Sequence, residues 1–296
     1  MSDQKTETEV RKPDLDKSLQ NKYGRLQRII QNAGSAAVAF SGGVDSTFLL
    51  KVCVDLLGEN VLAITARSET YPARELNEAR KLARQIGAGH IIITSEELDV
   101  PGFSDNPPNR CYLCKHELFS KIKDIANDRN LQWVFDGSNA DDSSDFRPGR
   151  MAARKLDVQS PLEEAGLTKA DIRNLSHTLG LSTWNKPAFA CLSSRFPYHT
   201  QITRNALRQV EKAENILWNL GMREFRVRHH DTIARIELGQ KEMQTFWECN
   251  LRDKIVNQLK TLGYYYVTLD LQGYRTGSMN EALKLKKDTD TDSPLD

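Results

Sequence analysis

The chain of 296 residues lacks several features that mark whole classes of protein. No apolar run approaches the roughly 18 residues of a membrane-spanning helix, and the polar start of the chain is unlike a signal peptide. The net charge is only +1 at pH 7, so the chain as a whole does not attract nucleic acid or a membrane surface. The five cysteines do not suggest structural disulfides in a chain of this size. We therefore expect a cytoplasmic protein with no membrane and no nucleic acid among its partners.

The most informative stretch that is present combines a strand, a glycine turn and a helix at 36–57. The apolar residues 36–40 predict a buried strand, SGG at 41–43 predicts a tight turn, and 44–57 predicts a helix. Glycine lets backbone N–H groups close around an anion, and a helix N-terminus adds a favourable partial charge. The Walker A pattern is absent. The sequence SGGVDS instead resembles the PP-loop of the ATP pyrophosphatases, which implies cleavage of ATP between its α- and β-phosphates and an adenylated substrate.

Strand and helix patterns alternate along the first two thirds of the chain. Apolar strands are predicted at 61–65, 90–94 and 133–135, and helices at 72–86, 116–130 and 168–179. The last of these helices opens with Thr168 and Asp171, which resemble a capping box. Such alternation is typical of a parallel α/β sheet, in which ligands bind beyond the carboxyl ends of the strands. The PP-loop, Ser68 and Gly137 all follow predicted strands, so we expect them to share one crevice.

The pattern changes after Pro197. Helices are predicted at 203–220 and 241–262, a largely β segment at 224–238 and a strand at 264–271. We predict a PP-loop domain at 19–197 and a smaller α/β domain, for substrate binding or oligomerisation, at 198–283. The charged tails at 1–18 and 284–296 lack periodicity and are expected to be disordered.

Three of the five cysteines form a candidate sulfur or metal site. Cys111 and Cys114 have C-x-x-C spacing in a predicted loop, and Cys191 lies much further along the chain. Three thiolates are too few for an all-cysteine zinc site, but they can hold a [4Fe–4S] cluster with one iron open to an external ligand. Three redox-active thiols that carry sulfur as persulfide, or three unrelated cysteines, are the alternatives. Cys53 and Cys249 lie in helical patterns and fit packing or surface roles.

Two arginines at alternate positions form a candidate phosphate site. Arg226 and Arg228 lie in a predicted strand, so their side chains project from the same face and both guanidinium groups can bind one phosphate. Glu214 and Glu237 are candidates to pair with these arginines or to bind a metal. A solvated salt-bridge face is the alternative. The acidic loop at 141–145 is predicted either to be solvated or to help hold Mg²⁺.

Taken together, these motifs resemble the LarE family of sulfur transferases. The resemblance is carried by SGGVDS at 41–46, DG at 136–137, DFRPG at 145–149, SSRFPY at 193–198, RVR at 226–228, IARIE at 233–237, VTLDL at 267–271 and GYRTG at 273–277. It implies that ATP with Mg²⁺ adenylates a carboxylate of a pyridinium-3,5-biscarboxylic acid mononucleotide and that pyrophosphate leaves. An enzyme-held sulfur then converts the acyl-adenylate to a thiocarboxylate, a precursor of the nickel-pincer nucleotide cofactor.

The resemblance also implies roles for individual residues. Binding of ATP, pyrophosphate or substrate is expected at Ala39, Ser41, Gly42, Gly43, Asp45, Ser46, Ser68, Gly137, Arg195, Arg226 and Arg228. Catalytic roles are expected for Asp45, Cys111, Cys114 and Cys191, and metal-ligand roles for the same three cysteines and Glu214. Some members of the family sacrifice the sulfur of a single cysteine, whereas the three cysteines here resemble the members that bear a [4Fe–4S] cluster. Members can be hexameric, so a homo-oligomer is considered beside the small-molecule substrate.

Three other functions fit parts of the pattern. A PP-loop tRNA thiolase can also use three cysteines and a cluster, but the near-neutral chain shows no basic stripe for RNA. An amidotransferase-type ligase would need a glutaminase nucleophile arrangement, which is not apparent. A nucleotide sensor with three redox-active cysteines would release pyrophosphate without turning over a carboxylate.

Overall fold

The structure, a computed structural model, describes residues 16–144, 148–187, 189–275 and 277–280. The predicted tails lie outside the described residues, except for residues 16–18, which belong to the start of the first helix. Residues 145–147, part of one motif noted above, also lie outside them. In the described part of the chain, no helix is long and apolar enough to cross a membrane.

A four-stranded parallel sheet organises the N-terminal part of the chain. Its strands are β1 (Ala36–Ala39), β2 (Val61–Arg67), β3 (Gly89–Thr94) and β4 (Trp133–Phe135), in the order β3-β2-β1-β4. From Ala36 to Val38, β1 is completely buried, which explains its uninterrupted apolar sequence, since both faces of a central parallel strand are covered. The predicted parallel α/β sheet is therefore confirmed.

Helices connect and cover these strands. They are α1 (Lys17–Ala33), α2 (Val44–Leu57), α3 (Ala73–Ile86), α4 (Arg110–Asp128), α5 (Pro148–Lys155), α6 (Pro161–Glu164) and α7 (Lys169–Thr178). The predicted capping box is present at the start of α7. The Thr168 hydroxyl accepts a hydrogen bond from Asp171 N at 3.2 Å, and the Asp171 carboxylate accepts one from Thr168 N at 3.0 Å. Local side-chain chemistry therefore fixes where this helix begins.

Helix α4 begins earlier than its apolar stripe indicated. It starts at Arg110 rather than at residue 116, so the prediction of a loop around Cys111 and Cys114 is wrong. The Arg110 side chain is buried, and its Nη1 atom donates to the carbonyl oxygen of Ser193 at 3.0 Å. This tertiary contact anchors the first turn, whose residues 110–113 do not continue the apolar stripe of the helix. Both cysteines consequently lie at the start of a helix, three positions and so about one turn apart on the same side of it.

A second sheet, of three strands, follows in the chain. Its elements are α8 (Arg204–Asn219), β5 (Phe225–His230), β6 (Ile233–Leu238), α9 (Gln240–Glu248), α10 (Arg252–Thr261) and β7 (Tyr266–Leu269). The strand order is β5-β6-β7, with β5 antiparallel and β7 parallel to β6. The single helix predicted at 241–262 is in fact two, because Asn250 adopts a left-handed φ of 49°, a conformation that ends a helix.

Hydrophobic clusters show how the two sheets are joined. The four-stranded sheet and the three-stranded sheet each have a buried apolar cluster of their own. A further cluster is formed by Leu192, Phe196, Ile202, Leu207 and Val210. This cluster contains residues from both sides of residue 197, where the domain boundary is predicted. The boundary itself stays a prediction.

Candidate active site

The PP-loop connects β1 to α2 as a closed turn. Gly42 has a φ of +65°, and a Cβ atom there would lie 3.1 Å from the Cα atom of Ala79, so glycine is required. The Ser46 hydroxyl accepts a hydrogen bond from Ser41 N at 3.3 Å and donates one to the Gly43 carbonyl oxygen at 3.4 Å. Gly43 is the N-cap residue of α2 and has no capping side chain. The first N–H groups of this helix are therefore suited to bind a phosphate.

Asp45, in the first turn of α2, pairs with a lysine side chain. Its Oδ2 atom forms an ion pair with the Nζ atom of Lys169, and its Oδ1 atom accepts from Asn139 Nδ2 at 3.5 Å. Gly137 permits this close packing, because a Cβ atom there would lie 3.1 Å from Ser46 N. Asp45 and Gly137, predicted from separate motifs, therefore meet beyond the carboxyl ends of β1 and β4.

The connection between β2 and α3 borders the same loop. Ala39, the last residue of β1, is half-buried, and the Ser68 hydroxyl lies 3.1 Å from the Thr70 hydroxyl. The Tyr71 hydroxyl donates to the carbonyl oxygen of Ser41 at 2.6 Å. The predicted binding residues after β1 and β2 are thus brought to one end of the sheet.

Two lysines at the PP-loop are missing from the predicted site. Lys169 pairs with Asp45, and Lys186 donates to the carbonyl oxygen of Gly42 at 3.1 Å and to the carboxylate of Glu75 at 2.8 Å. These lysines are 124 and 144 residues away in sequence from their partners in the loop, so no local spacing could indicate them. Positive charge beside an anion-binding loop stabilises the charge that develops on a departing phosphate.

The three candidate cysteines lie within electrostatic range of one another. Cys111 and Cys114 are in the first two turns of α4, and Cys191 immediately precedes the short 3₁₀ turn Leu192–Arg195. Charge repulsion from Cys191 contributes to raising the pKa of both Cys111 and Cys114, so the three side chains lie within electrostatic range of one another. Within the described residues, no group of three or more Cys, His, Asp and Glu side chains is already arranged to hold a metal ion.

The two α4 thiols are held in their neutral form. Burial raises the pKa of Cys114, and the nearby carboxylate of Glu97 raises it further. Although Cys111 is exposed as a residue, desolvation of its thiol and then Cys191 raise its pKa, whereas the hydrogen-bonded guanidinium of Arg110 lowers it. An incoming cation would therefore favour thiolate formation, because metal ligation and proton release are coupled.

Arg195 and Arg228 are each fixed by a buried glutamate. Arg195 donates to Glu214 at 2.7 and 3.1 Å, and Arg228 donates to Glu237 at 2.8 and 2.9 Å. Such two-point pairs fix the plane of the guanidinium group. Glu214 also accepts from Val227 N at 3.2 Å, so both of its oxygens already accept hydrogen bonds, and its predicted role as a metal ligand stays a prediction. This arrangement gives Glu214 a positioning role.

Arg226 differs from these two arginines. Among the described residues it has no carboxylate partner; its Nη2 atom donates to the Tyr274 hydroxyl at 3.0 Å, and its guanidinium lies 4.8 Å from the centre of the same ring. Burial, and next the positive charge of Arg195, lower the pKa of Arg226. A phosphate would relieve this unbalanced charge, which supports the predicted phosphate site on the face that Arg226 shares with Arg228.

Comparisons with known proteins agree with these features. A family model described as NAD synthase matches residues 19–101, which contain the PP-loop. An uncharacterised protein of Synechocystis is 41% identical over 265 residues, which cover 90% of this chain and 99% of that protein. The pyridinium-3,5-bisthiocarboxylic acid mononucleotide synthase of Lactiplantibacillus plantarum is 40% identical over 267 residues, which cover 90% of this chain and 96% of that enzyme. This chain therefore belongs to the LarE family of pyridinium-3,5-bisthiocarboxylic acid mononucleotide synthases.

Proposed function

We propose that this protein uses ATP to adenylate a carboxylate of a pyridinium-3,5-biscarboxylic acid mononucleotide and then replaces the adenylate with sulfur. One observation carries the proposal: the PP-loop and the Cys191 region border the same β2–α3 connection. Tyr71 donates to the PP-loop carbonyl oxygen of Ser41 at 2.6 Å, and Leu192 N donates to the carbonyl oxygen of Thr70 at 2.9 Å. A nucleotide site and a sulfur site that are this close can act on the same carbon atom.

The first step makes a leaving group. A carboxylate oxygen of the substrate attacks the α-phosphorus of ATP, and the bond between that phosphorus and the bridging oxygen to the β-phosphate breaks. Pyrophosphate departs with negative charge, which the PP-loop N–H groups, Lys169 and Lys186 stabilise. The carboxylate of Asp45 is an oxygen ligand of the kind that the Mg²⁺ accompanying ATP prefers. Arg226 and Arg228 bind the phosphate of the mononucleotide.

The second step installs sulfur. A hydrosulfide sulfur attacks the acyl carbon, the carbon–oxygen bond to AMP breaks, and loss of the sulfur-bound proton leaves a thiocarboxylate. The donor set of three cysteines fits a [4Fe–4S] cluster, since cysteine thiolates are its ligands and three of them leave one iron open. Cys111, Cys114 and Cys191 would hold this cluster, which when bound supplies an iron that can carry hydrosulfide. Two other sources are the alternatives. The Cys191 sulfur itself would form a thioester, and elimination at its Cβ–S bond would release the thiocarboxylate and leave dehydroalanine. A Cys191 persulfide would form an acyl disulfide, and attack by a second cysteine thiol on the Cys191 sulfur would release the thiocarboxylate, a proton and a protein disulfide.

Anaerobic purification followed by iron and acid-labile sulfide analysis tests the cluster. We expect about four irons and four sulfides per chain, lost in Cys114→Ser. They should be retained in Cys249→Ser, because Cys249 is an exposed thiol on a different helix end. Absence of iron after reconstitution would contradict the cluster. Mass spectrometry would then distinguish a sacrificed Cys191, which loses sulfur, from a persulfide, which gains it.

The overall reaction has its own test. Incubation with ATP and the bis-carboxylic acid mononucleotide should yield pyrophosphate, AMP and a thiocarboxylate. Pyrophosphate without a thiocarboxylate would contradict the proposed function. We also propose a cytoplasmic setting, because all five cysteines are free thiols. A homo-oligomer stays a prediction.

A further inference from the structure

Glu75 holds the side chain of Lys186 against the PP-loop. Its side chain is 7% exposed and accepts from Lys186 Nζ at 2.8 Å, while the same Nζ atom donates to the carbonyl oxygen of Gly42 at 3.1 Å. Leaving a buried carboxylate without its cation is strongly unfavourable, so this ion pair keeps Lys186 beside the loop. Lys186 also lies shortly before residues 189–195, which carry Cys191 and are called the Cys191 segment.

Arg74 extends this contact toward the Cys191 segment. Its Nε atom lies 3.7 Å from Glu75 Oε1, and its Nη2 atom lies 3.6 Å from Glu214 Oε2. Glu214 holds Arg195, whose Nη1 atom donates to the carbonyl oxygen of Ala190 at 2.9 Å. Side chains of alternating charge therefore connect the PP-loop to the Cys191 segment, in the order Lys186, Glu75, Arg74, Glu214 and Arg195.

The backbone of the Cys191 segment is also contacted by the stretch of chain that carries Arg74 and Glu75. Leu192 N donates to the carbonyl oxygen of Thr70 at 2.9 Å. The stretch 70–75 therefore contacts the middle of the segment directly and its Arg195 end through Glu214. The same stretch contacts the PP-loop through Tyr71 and, by way of Lys186, through Glu75. One short piece of chain thus fixes the distance between the nucleotide loop and the cysteine.

We propose that Arg74 and Glu75 are positioning residues that hold the Cys191 segment against the adenylated carboxylate. The inference rests on the proposed function, in which sulfur must reach the acyl carbon before water does. Attack by water breaks the same carbon–oxygen bond to AMP but regenerates the carboxylate, so ATP is consumed without product. Because a misplacement of about 1 Å can cost on the order of a hundredfold in rate, loosening this link favours water over sulfur.

The test measures how the adenylate divides between sulfur and water. Wild type, Glu75→Gln and the matched control Glu78→Gln, on the same helix, receive ATP, the bis-carboxylic acid mononucleotide and excess sulfide in water labelled with heavy oxygen. The ratio of pyrophosphate to thiocarboxylate should rise about tenfold in Glu75→Gln, with heavy oxygen entering the recovered carboxylate. Glu78→Gln should keep the wild-type ratio. A ratio does not depend on the fraction of folded enzyme, so partial unfolding cannot imitate the effect.

Arg74→Met supplies a second variant that leaves the Lys186–Glu75 contact in place. It should raise the same ratio, because it removes the connection to Glu214. An unchanged ratio in either folded variant overturns the inference while leaving the proposed function intact. A wild-type protein that forms pyrophosphate but no thiocarboxylate overturns the proposed function, and the inference with it.

Discussion

Asp45 is the single residue on which the ATP half of the reaction should depend most. Asp45→Ala removes the carboxylate that we propose as an oxygen ligand for Mg²⁺ and takes away the ion-pair partner of Lys169. We expect pyrophosphate formation to fall by about a hundredfold or more, measured by a pyrophosphate-release assay. Asp55→Ala is the control, since Asp55 lies on the same helix but pairs with Lys51 at the surface. Retained ATP cleavage in Asp45→Ala would show that the assignment is wrong.

The residues of the site differ in how far their roles follow from sequence. Asp45 and Gly137 belong to short motifs whose spacing has a local meaning, and the structure brings them together. Lys186 and Arg74 acquire their roles only from partners distant in the chain. Glu214 is among the predicted site residues, but its contacts are with Arg195 and the backbone of Val227, which no pattern along one helix reveals.

Helix α7 links stability to the active site, because its first residue is Lys169. Thr168→Ala removes the hydroxyl half of the capping box, and the free energy of unfolding should decrease by about 1 kcal/mol. Urea denaturation measures this change. Thr261→Ala, at the exposed end of α10, should stay within about 0.5 kcal/mol of wild type. Equal stabilities of Thr168→Ala and wild type would contradict a functional cap.

For whole helices and strands, hydrophobic periodicity predicted the apolar faces better than it predicted the residues at which the elements begin and end. The central strands β1 and β2 follow from apolar runs because such strands are covered on both faces, whereas the apolar run of the edge strand β3 is only half-buried. The start of α4 does not follow from such a run, because Arg110 anchors it through a contact with Ser193 in a distant segment. The break between α9 and α10 depends on the backbone conformation of Asn250, and an asparagine alone does not demand it.

At the scale of the whole molecule, stability should depend on pH through buried histidines. Burial lowers the pKa of His90, His229 and His230. The unfolded chain binds these protons near the ordinary histidine pKa of about 6.5, whereas the folded chain binds them only at lower pH. The unfolded state therefore holds more protons in the window below about pH 6.5, and the free energy of unfolding should decrease as pH falls through it.

His229→Gln tests this dependence at the most buried of the three rings. His229 is 7% exposed, and its Nδ1 atom lies 3.1 Å from the Tyr264 hydroxyl. Urea denaturation at about pH 7.5 and about pH 5.5 should show a smaller loss of stability in the variant than in wild type, because one group that resists protonation is gone. Identical losses in the two proteins would contradict the contribution of His229.

Because Cys111 and Cys114 lie in the first two turns of α4, the number of residues between them determines the angle between their side chains around the helix axis. Each added residue turns a helix by about 100°, so one insertion between the two cysteines would carry one thiol around the helix and away from Cys191. A flexible loop would absorb the same insertion. The length of the intervening sequence is therefore as constrained as the cysteines themselves, and relatives that keep all three thiols should tolerate substitutions at the two intervening positions but no change in their number.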